Sequence, residues 1–81
     1  MTTTNELTFS VSSVEAGVLS YAVLYNGAPL MASTPDISKA LRVLAEQTAR
    51  FASQRRAYTV QHWNGDKGEI TSRETVVPAS R

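Results

Sequence analysis

The sequence predicts a single α+β domain, an antiparallel sheet of βββαββ order with one helix packed on one face. Three patterns lead to this prediction: a clean alternation near the N-terminus, an Asn-Gly turn between apolar runs, and a capped helical repeat. A chain of 81 residues fills one hydrophobic core. Leu, Ile, Val and Phe account for 18 residues, just above the roughly 20% below which chains tend to stay disordered. We therefore expect a lean core.

The first strand is predicted by the alternation of apolar and hydroxyl side chains from Leu7 to Ser12. Leu7, Phe9 and Val11 fall on one face of an extended chain, and the Ser and Thr side chains between them fall on the other. This pattern is typical of a strand with one buried face.

The second and third strands form a predicted hairpin around Asn26 and Gly27. The run Val18–Tyr25 before the turn is apolar on both faces. Asn-Gly accepts the positive φ angles of a type I′ turn, and Pro29 limits the third strand to a short or edge strand because proline has no N–H to donate. In this register the cross-strand partners are Tyr25 with Ala28, Val23 with Leu30, and Tyr21 with Ala32.

A helix is predicted from Pro35 to about Gln54. Thr34 has the side chain of an N-cap, and proline is favoured at the first helical position. An apolar stripe follows at helical spacing, and Val43 is expected to point away from it. The stripe consists of Ile37, Leu41, Leu44, Thr48 and Phe51.

Two further strands are predicted after the helix, at 57–63 and 69–73. The segment 64–68 between them, with two glycines, an Asn and an Asp, has the composition of a turn. We expect one domain over residues 7–74, flanked by loosely held termini at 1–6 and 75–81.

Composition and charge exclude several functional classes. No apolar run approaches the roughly 18 residues of a membrane span, and the N-terminus lacks the pattern of a signal peptide. The chain has no cysteine, which excludes disulfides and thiolate metal sites. We therefore expect a cytoplasmic protein that binds no membrane. A net charge of +1 does not favour a dedicated binder of nucleic acid.

The sequence predicts neither an enzyme nor a cofactor or metal site. His62 is the only imidazole, and no motif marks a nucleophile among the nine serines. Asn64, Asp66 and Glu69 offer oxygen ligands, but the twelfth position counted from Asn64 is Thr75 rather than the carboxylate of an EF-hand loop. A polar hairpin turn explains these residues.

A protein interface is the function that the sequence favours, either with another protein or in a homodimer. One helix covers one face of the sheet, whereas the hairpin is apolar on both. Tyr, Trp, Met and Arg are enriched at interface cores. The predicted partner-binding residues are Tyr21, Tyr25, Met31, Arg55, Arg56, Trp63 and Lys67.

The alternative is a small nucleic-acid-binding protein. Arg55, Arg56 and Lys67 would contact phosphates, and the aromatic residues Tyr58 and Trp63 would stack on bases. The alternation of the strand separates these two rings, since Tyr58 lies on one face and Trp63 on the other.

In size and element order the chain resembles small α+β accessory proteins of phages and mobile elements, among them anti-CRISPR inhibitors. The resemblance lies in the hairpin segment Tyr21-Ala22-Val23-Leu24-Tyr25-Asn26-Gly27 and the capped helix start Thr34-Pro35-Asp36-Ile37-Ser38-Lys39-Ala40. It implies an inhibitor that occupies a partner's surface without cofactor or catalysis. Many such inhibitors are acidic and mimic nucleic acid, and this chain's charge departs from that pattern.

Overall fold

A computed structural model describes residues 5–77. It contains one helix and five strands, which form a single sheet of order β3-β2-β1-β4-β5. Their bounds are β1 Asn5–Glu15, β2 Val18–Tyr25, β3 Ala28–Pro29, α1 Ile37–Ser53, β4 Tyr58–Asn64 and β5 Glu69–Val76. The chain is therefore α+β, with one helix on one face of the sheet, as the sequence predicts.

The sheet is mixed, and the prediction of a purely antiparallel sheet was wrong. β1 is the central strand, antiparallel to β2 on one side and parallel to β4 on the other. The reason is the path of the helix, which returns the chain across the sheet to the end where β1 begins. Phe9 therefore lies beside Val23 on one side and beside His62 on the other.

The Asn-Gly hairpin forms as predicted near its turn. Asn26 and Gly27 have φ angles of 51° and 87°, and Tyr25 pairs with Ala28. β3 is only two residues long, because the chain leaves the ladder soon after Pro29. The predicted pairing of Tyr21 with Ala32 was wrong: Tyr21 pairs with Thr34, two residues later.

The strands extend beyond the predicted domain limits of residues 7 and 74. β1 begins at Asn5, and β5 continues to Val76 rather than ending at Arg73. The remaining parts of the predicted terminal segments, 1–4 and 78–81, lie outside the described residues.

The helix begins two residues later than predicted, with Asp36 rather than Thr34 as its N-cap. The Asp36 carboxylate accepts hydrogen bonds from the backbone N–H of Ser38 at 3.0 Å and of Lys39 at 3.4 Å. Thr34 instead accepts from the Asp36 N–H at 3.1 Å. The helix ends at Ser53, with Gln54 as its C-cap.

The helix packs on the sheet through Ala40 together with Leu44 and Phe51 of the predicted stripe. Ala40 is fully buried against Phe9 and Val23, and Val43 packs against the same cluster, so the prediction that Val43 points away was wrong. The small alanine lets the helix backbone approach the sheet closely. This turns Ile37 and Leu41 outward, and they are 44% and 46% exposed.

The face of the sheet opposite the helix carries a chain of polar side chains. Gln61 donates to the Thr8 hydroxyl at 2.9 Å and accepts from Arg73 Nε at 3.1 Å. These bonds satisfy a nearly buried amide, as buried polar groups require. The Gln61 amide therefore has its hydrogen-bond partners within this face of the sheet.

Within residues 5–77, no helix combines the length and the apolar character needed to cross a membrane.

A groove between the helix and strands β4 and β5

The helix covers only part of its face of the sheet. It packs chiefly on β2 and β1, because a helix about 10 Å wide spans roughly two strands at 4.8 Å spacing. Only its C-terminal end reaches across to β4, where the Phe51 ring lies 5.6 Å from the rings of both Tyr25 and Tyr58. Most of the helix-side face of β4 and β5 is thus left uncovered.

Ile37 and Leu41 line the flank of the helix that faces this uncovered area. At about 100° per residue, they lie roughly 60° and 100° round the helix from Ala40, while Val43 lies about 60° the other way. The helix runs from the Tyr21–Thr34 bridge toward the start of β4. Its right-handed winding therefore turns Ile37 and Leu41 toward β4 and β5, and Val43 toward β2.

His62 and Glu74 form the opposite side of this depression, which we call the helix groove. His62 is exposed; its ring lies 5.6 Å from the Phe9 ring, and its Nδ1 is 2.9 Å from the Ser72 hydroxyl. Glu74 pairs with Val60 across the β4–β5 ladder and is also exposed. The helix groove therefore has an apolar wall on the helix and a polar, acidic wall on the strands.

The turn between β4 and β5 is fastened to β1 beside the groove. The Asp66 carboxylate accepts from the Ser13 backbone N–H at 2.8 Å and from the Ser13 hydroxyl at 2.6 Å. Both bonds favour the ionised carboxylate and so lower the pKa of Asp66 below its ordinary value. The bond from the Ser13 hydroxyl has the larger effect, and the bond from the backbone N–H the smaller. Gly65 lies against Ser12, where an added Cβ would collide with the hydroxyl. The turn therefore holds β4 and β5 at a fixed position relative to β1.

Three of the predicted partner-binding residues lie under or beside the helix. Tyr21 packs with its ring 5.9 Å from Phe9, and Met31 packs against the same core cluster. Tyr25 packs on Phe51, and its hydroxyl donates to Asn5 at 2.8 Å. All three are partly buried within the chain itself.

The other four predicted residues are spread over the molecule. Arg55 and Arg56 follow the helix at the start of β4, and the Arg56 guanidinium lies 5.9 Å from the Phe51 ring centre. Lys67 lies in the turn at the other end of β4, about 20 Å away for seven residues of extended chain. Trp63 lies on the opposite face of the sheet, beside Ser10 and Ile70. The structure does not bring these side chains together.

Ile37, Leu41 and His62 were not among the predicted site residues. The signal was the position of alanine, since Ala40, Leu44 and Phe51 form a second series at helical spacing with a small residue at its start. The position of His62 beside Phe9 could not be predicted from the sequence, because it depends on the parallel pairing of β4 with β1.

Among residues 5–77, no group of three or more His, Cys, Asp or Glu side chains comes together as a candidate metal site. Searches of known proteins add no relative: no protein-family model, no curated protein and no solved structure matches this chain.

Proposed function

We propose that this chain is a small protein-binding module that holds an amphipathic helix of its partner in the helix groove. The observation that carries the proposal is the exposure of Ile37 and Leu41, 44% and 46%, on the flank that faces an uncovered half of the sheet. Fully burying an exposed aliphatic side chain of this size contributes about 1.5–3 kcal/mol, and a partner would cover the somewhat less than half of each side chain that is still exposed. Two such side chains on one flank supply an apolar centre for an interface.

The width of the uncovered area favours a helix as the bound element. Five strands at about 4.8 Å spacing span roughly 20 Å, and one helix occupies about 10 Å of that width. A second helix beside α1 would lie at the usual packing distance of about 8–10 Å. It would contact Ile37 and Leu41 along its apolar stripe.

The strand wall specifies the chemistry of the partner helix. Glu74 is exposed at the outer side of the groove, so an arginine or lysine on the outer edge of the partner helix would pair with it. His62 and Ser72 add hydrogen-bonding groups beside it. The partner is therefore a helix with an apolar stripe and a basic edge.

Other surfaces give less support to an interface. The opposite face of the sheet has its central amide already bonded to Thr8 and Arg73. The nucleic-acid alternative would need Arg56 and Lys67 to act together from opposite ends of β4. An inhibitor that occupies its target's surface, the role implied by the resemblance to phage and mobile-element proteins, would use the helix groove in the same way.

The proposal is tested by capture of partners from source-cell lysate with tagged wild-type protein, Leu41→Glu and Ile70→Glu. Ile70 is the matched control, since it is 38% exposed and lies beside Trp63 on the other face. We expect a stoichiometric protein that survives nuclease and moderate salt, is lost with Leu41→Glu and is kept with Ile70→Glu. Far-UV circular dichroism checks that both variants fold.

Two results contradict the proposal. Capture that Leu41→Glu leaves unchanged would place the interface elsewhere on the molecule. Capture that disappears on nuclease treatment or falls steeply with salt would show phosphate contacts and favour the nucleic-acid alternative.

A further inference from the structure

We propose that the outer surface of α1 binds the phosphate backbone of a nucleic-acid duplex without reading its sequence. The inference goes beyond the proposed function and does not depend on it. It starts from the distribution of charge between the two layers of the fold, which the net charge of +1 conceals. A basic stripe along a helix is the electrostatic footprint of a nucleic-acid-binding protein.

Opposite charges are concentrated in different parts of the chain. Residues 37–56, the helix and the segment after it, hold five basic residues and one acidic residue. The rest of the described chain, 5–36 and 57–77, holds two basic and six acidic residues, among them the N-cap Asp36. The helix layer is therefore basic and the sheet layer acidic. A polyanion is attracted to the helix side of the molecule and repelled from the strands.

The basic side chains of the helix follow one side of it. Lys39 and Arg50 are about 20° apart around the helix axis and about 16 Å apart along it, and Arg42 lies about 60° from Lys39. All three are exposed. Arg56 adds a fourth exposed cation beyond the end of the helix, with its guanidinium 5.9 Å from the Phe51 ring centre. We call these four cations the basic surface.

The basic surface lies on the side of α1 that is turned away from the helix groove. Lys39 lies about 100° round the helix from Ala40, on the same side as Val43, whereas Leu41 lies about 100° the other way. An element bound in the helix groove therefore leaves the basic surface uncovered. Both sites can be filled at once.

A duplex matches this surface in length and charge. Duplex DNA carries about one negative charge per 1.7 Å of its axis, and the 17 residues of α1 extend over about 25 Å. The helical residues between and beside the cations are Glu46, Ala49 and Ser53. They provide no aromatic ring for stacking on unpaired bases. The cations therefore suit phosphates, whose contacts carry no sequence information.

Glu46 is the one carboxylate within this part of the helix, four residues from both Arg42 and Arg50. Its charge opposes a phosphate at the same place, so removing that charge should strengthen duplex binding. If the two arginines only stabilise the helix through Glu46 at this spacing, the same change would weaken the helix and leave the affinity for a duplex unchanged.

The test is fluorescence anisotropy of a labelled DNA duplex, titrated with the purified chain. Four phosphate contacts at about −0.9 each predict a slope of about −3.6 for log K against log salt, a loss of roughly 150-fold in affinity from about 50 to 200 mM salt. Arg42→Gln and Arg50→Gln should each make the slope less steep by about one. Glu46→Gln should raise the affinity, and circular dichroism checks that each variant folds.

Three further variants separate phosphate binding from other effects. Lys67→Gln is the matched control, since it removes one exposed positive charge from the β4–β5 turn and should leave the slope unchanged. Arg42→Lys should keep the slope, because a phosphate contact needs only the charge. Leu41→Glu should also keep it, so that failure of the helix groove and failure of the basic surface are distinguishable.

Several results would overturn the inference. These are no binding of the duplex at low salt, a slope near zero, and a slope that Lys67→Gln changes as much as Arg42→Gln does. Equal affinity for polyglutamate would assign the basic surface to an acidic peptide instead, and equal affinity for vesicles of anionic lipid would assign it to a membrane surface.

Discussion

Asp66 shows how one exposed carboxylate can join two distant parts of this chain. It accepts both hydrogen bonds of Ser13, 53 residues earlier, so the β4–β5 turn and the far end of β1 are held together. Because the bonds favour the ionised form, the pKa of Asp66 in the folded chain lies below the ordinary value of 3.8. A lowered folded pKa stabilises the fold above the unfolded value and loses that effect as the pH falls through the folded one.

We therefore predict that Asp66→Asn lowers the melting temperature at pH 7, and that the difference from wild type shrinks as the pH falls below 3.8. Protonated Asp66 and asparagine then offer Ser13 similar neutral acceptors. Thermal unfolding followed by circular dichroism measures this, with Glu69→Gln, at the start of β5 beside the turn, as the control. A difference that stays constant into acid would show that the charge of Asp66 has no part in the effect.

At the scale of the element, two polar residues near the start of the helix, Thr34 and Asp36, have different roles. Asp36 caps the helix by accepting from the backbone N–H groups of Ser38 and Lys39, whereas the Thr34 hydroxyl accepts from the Asp36 N–H, ahead of the first helical residue. We predict that Asp36→Ala costs about 1 kcal/mol of unfolding free energy, the usual value of an N-cap. Thr34→Ala should cost less. Urea denaturation measures the unfolding free energy of each variant. A larger loss of unfolding free energy for Thr34→Ala than for Asp36→Ala would favour Thr34, the residue predicted from sequence, as the N-cap.

The elements that the sequence predicts well are those defined by local chemistry. The Asn26-Gly27 turn follows from the positive φ angles that these residues accept. The helix follows from its cap and its periodicity. The rotation of the helix could not be predicted, because apolar side chains cover more than half of its circumference. Ala40 decides it by permitting the closest approach to Phe9 and Val23.

The order and direction of the strands depend on the whole molecule. The sequence predicts which segments are strands, but β1 and β4 lie far apart in the chain and nothing in either marks the other as its partner. The helix groove was missed for this reason, since it exists only where α1 lies on β1 and β2 and leaves β4 and β5 bare. Of the predicted interface residues, the structure places Tyr21, Tyr25 and Met31 in partly buried packing.

The position of β5 at the edge of the sheet gives a prediction for the folded chain as a whole. Glu74 lies on the helix side of the sheet and directs its backbone N–H at β4, whereas Arg73 and Thr75 alternate with it and direct theirs outward. We predict rapid amide hydrogen exchange at Arg73 and Thr75 and slower exchange at Glu74, with the greatest protection in central β1. Nuclear magnetic resonance measures each amide. Equal protection along β5 would mean that another strand pairs with its edge.

The central position of β1 also has a consequence for how the chain folds. β1 comes before both of its partners in the sequence. It lies next to β2 in the chain, but its other neighbour is β4, with Thr8 bonded to Gln61 across 53 residues. The chain up to β4, which begins at Tyr58, must be available before the middle of the sheet can close. Such long-range pairing is slow, because the entropy of closing the loop is lost before the contacts form. Until then the edge of β1 that later pairs with β4 has no partner strand, and it can pair with a wrong strand. The strand that is central in the folded sheet is therefore the one most open to mispairing during folding.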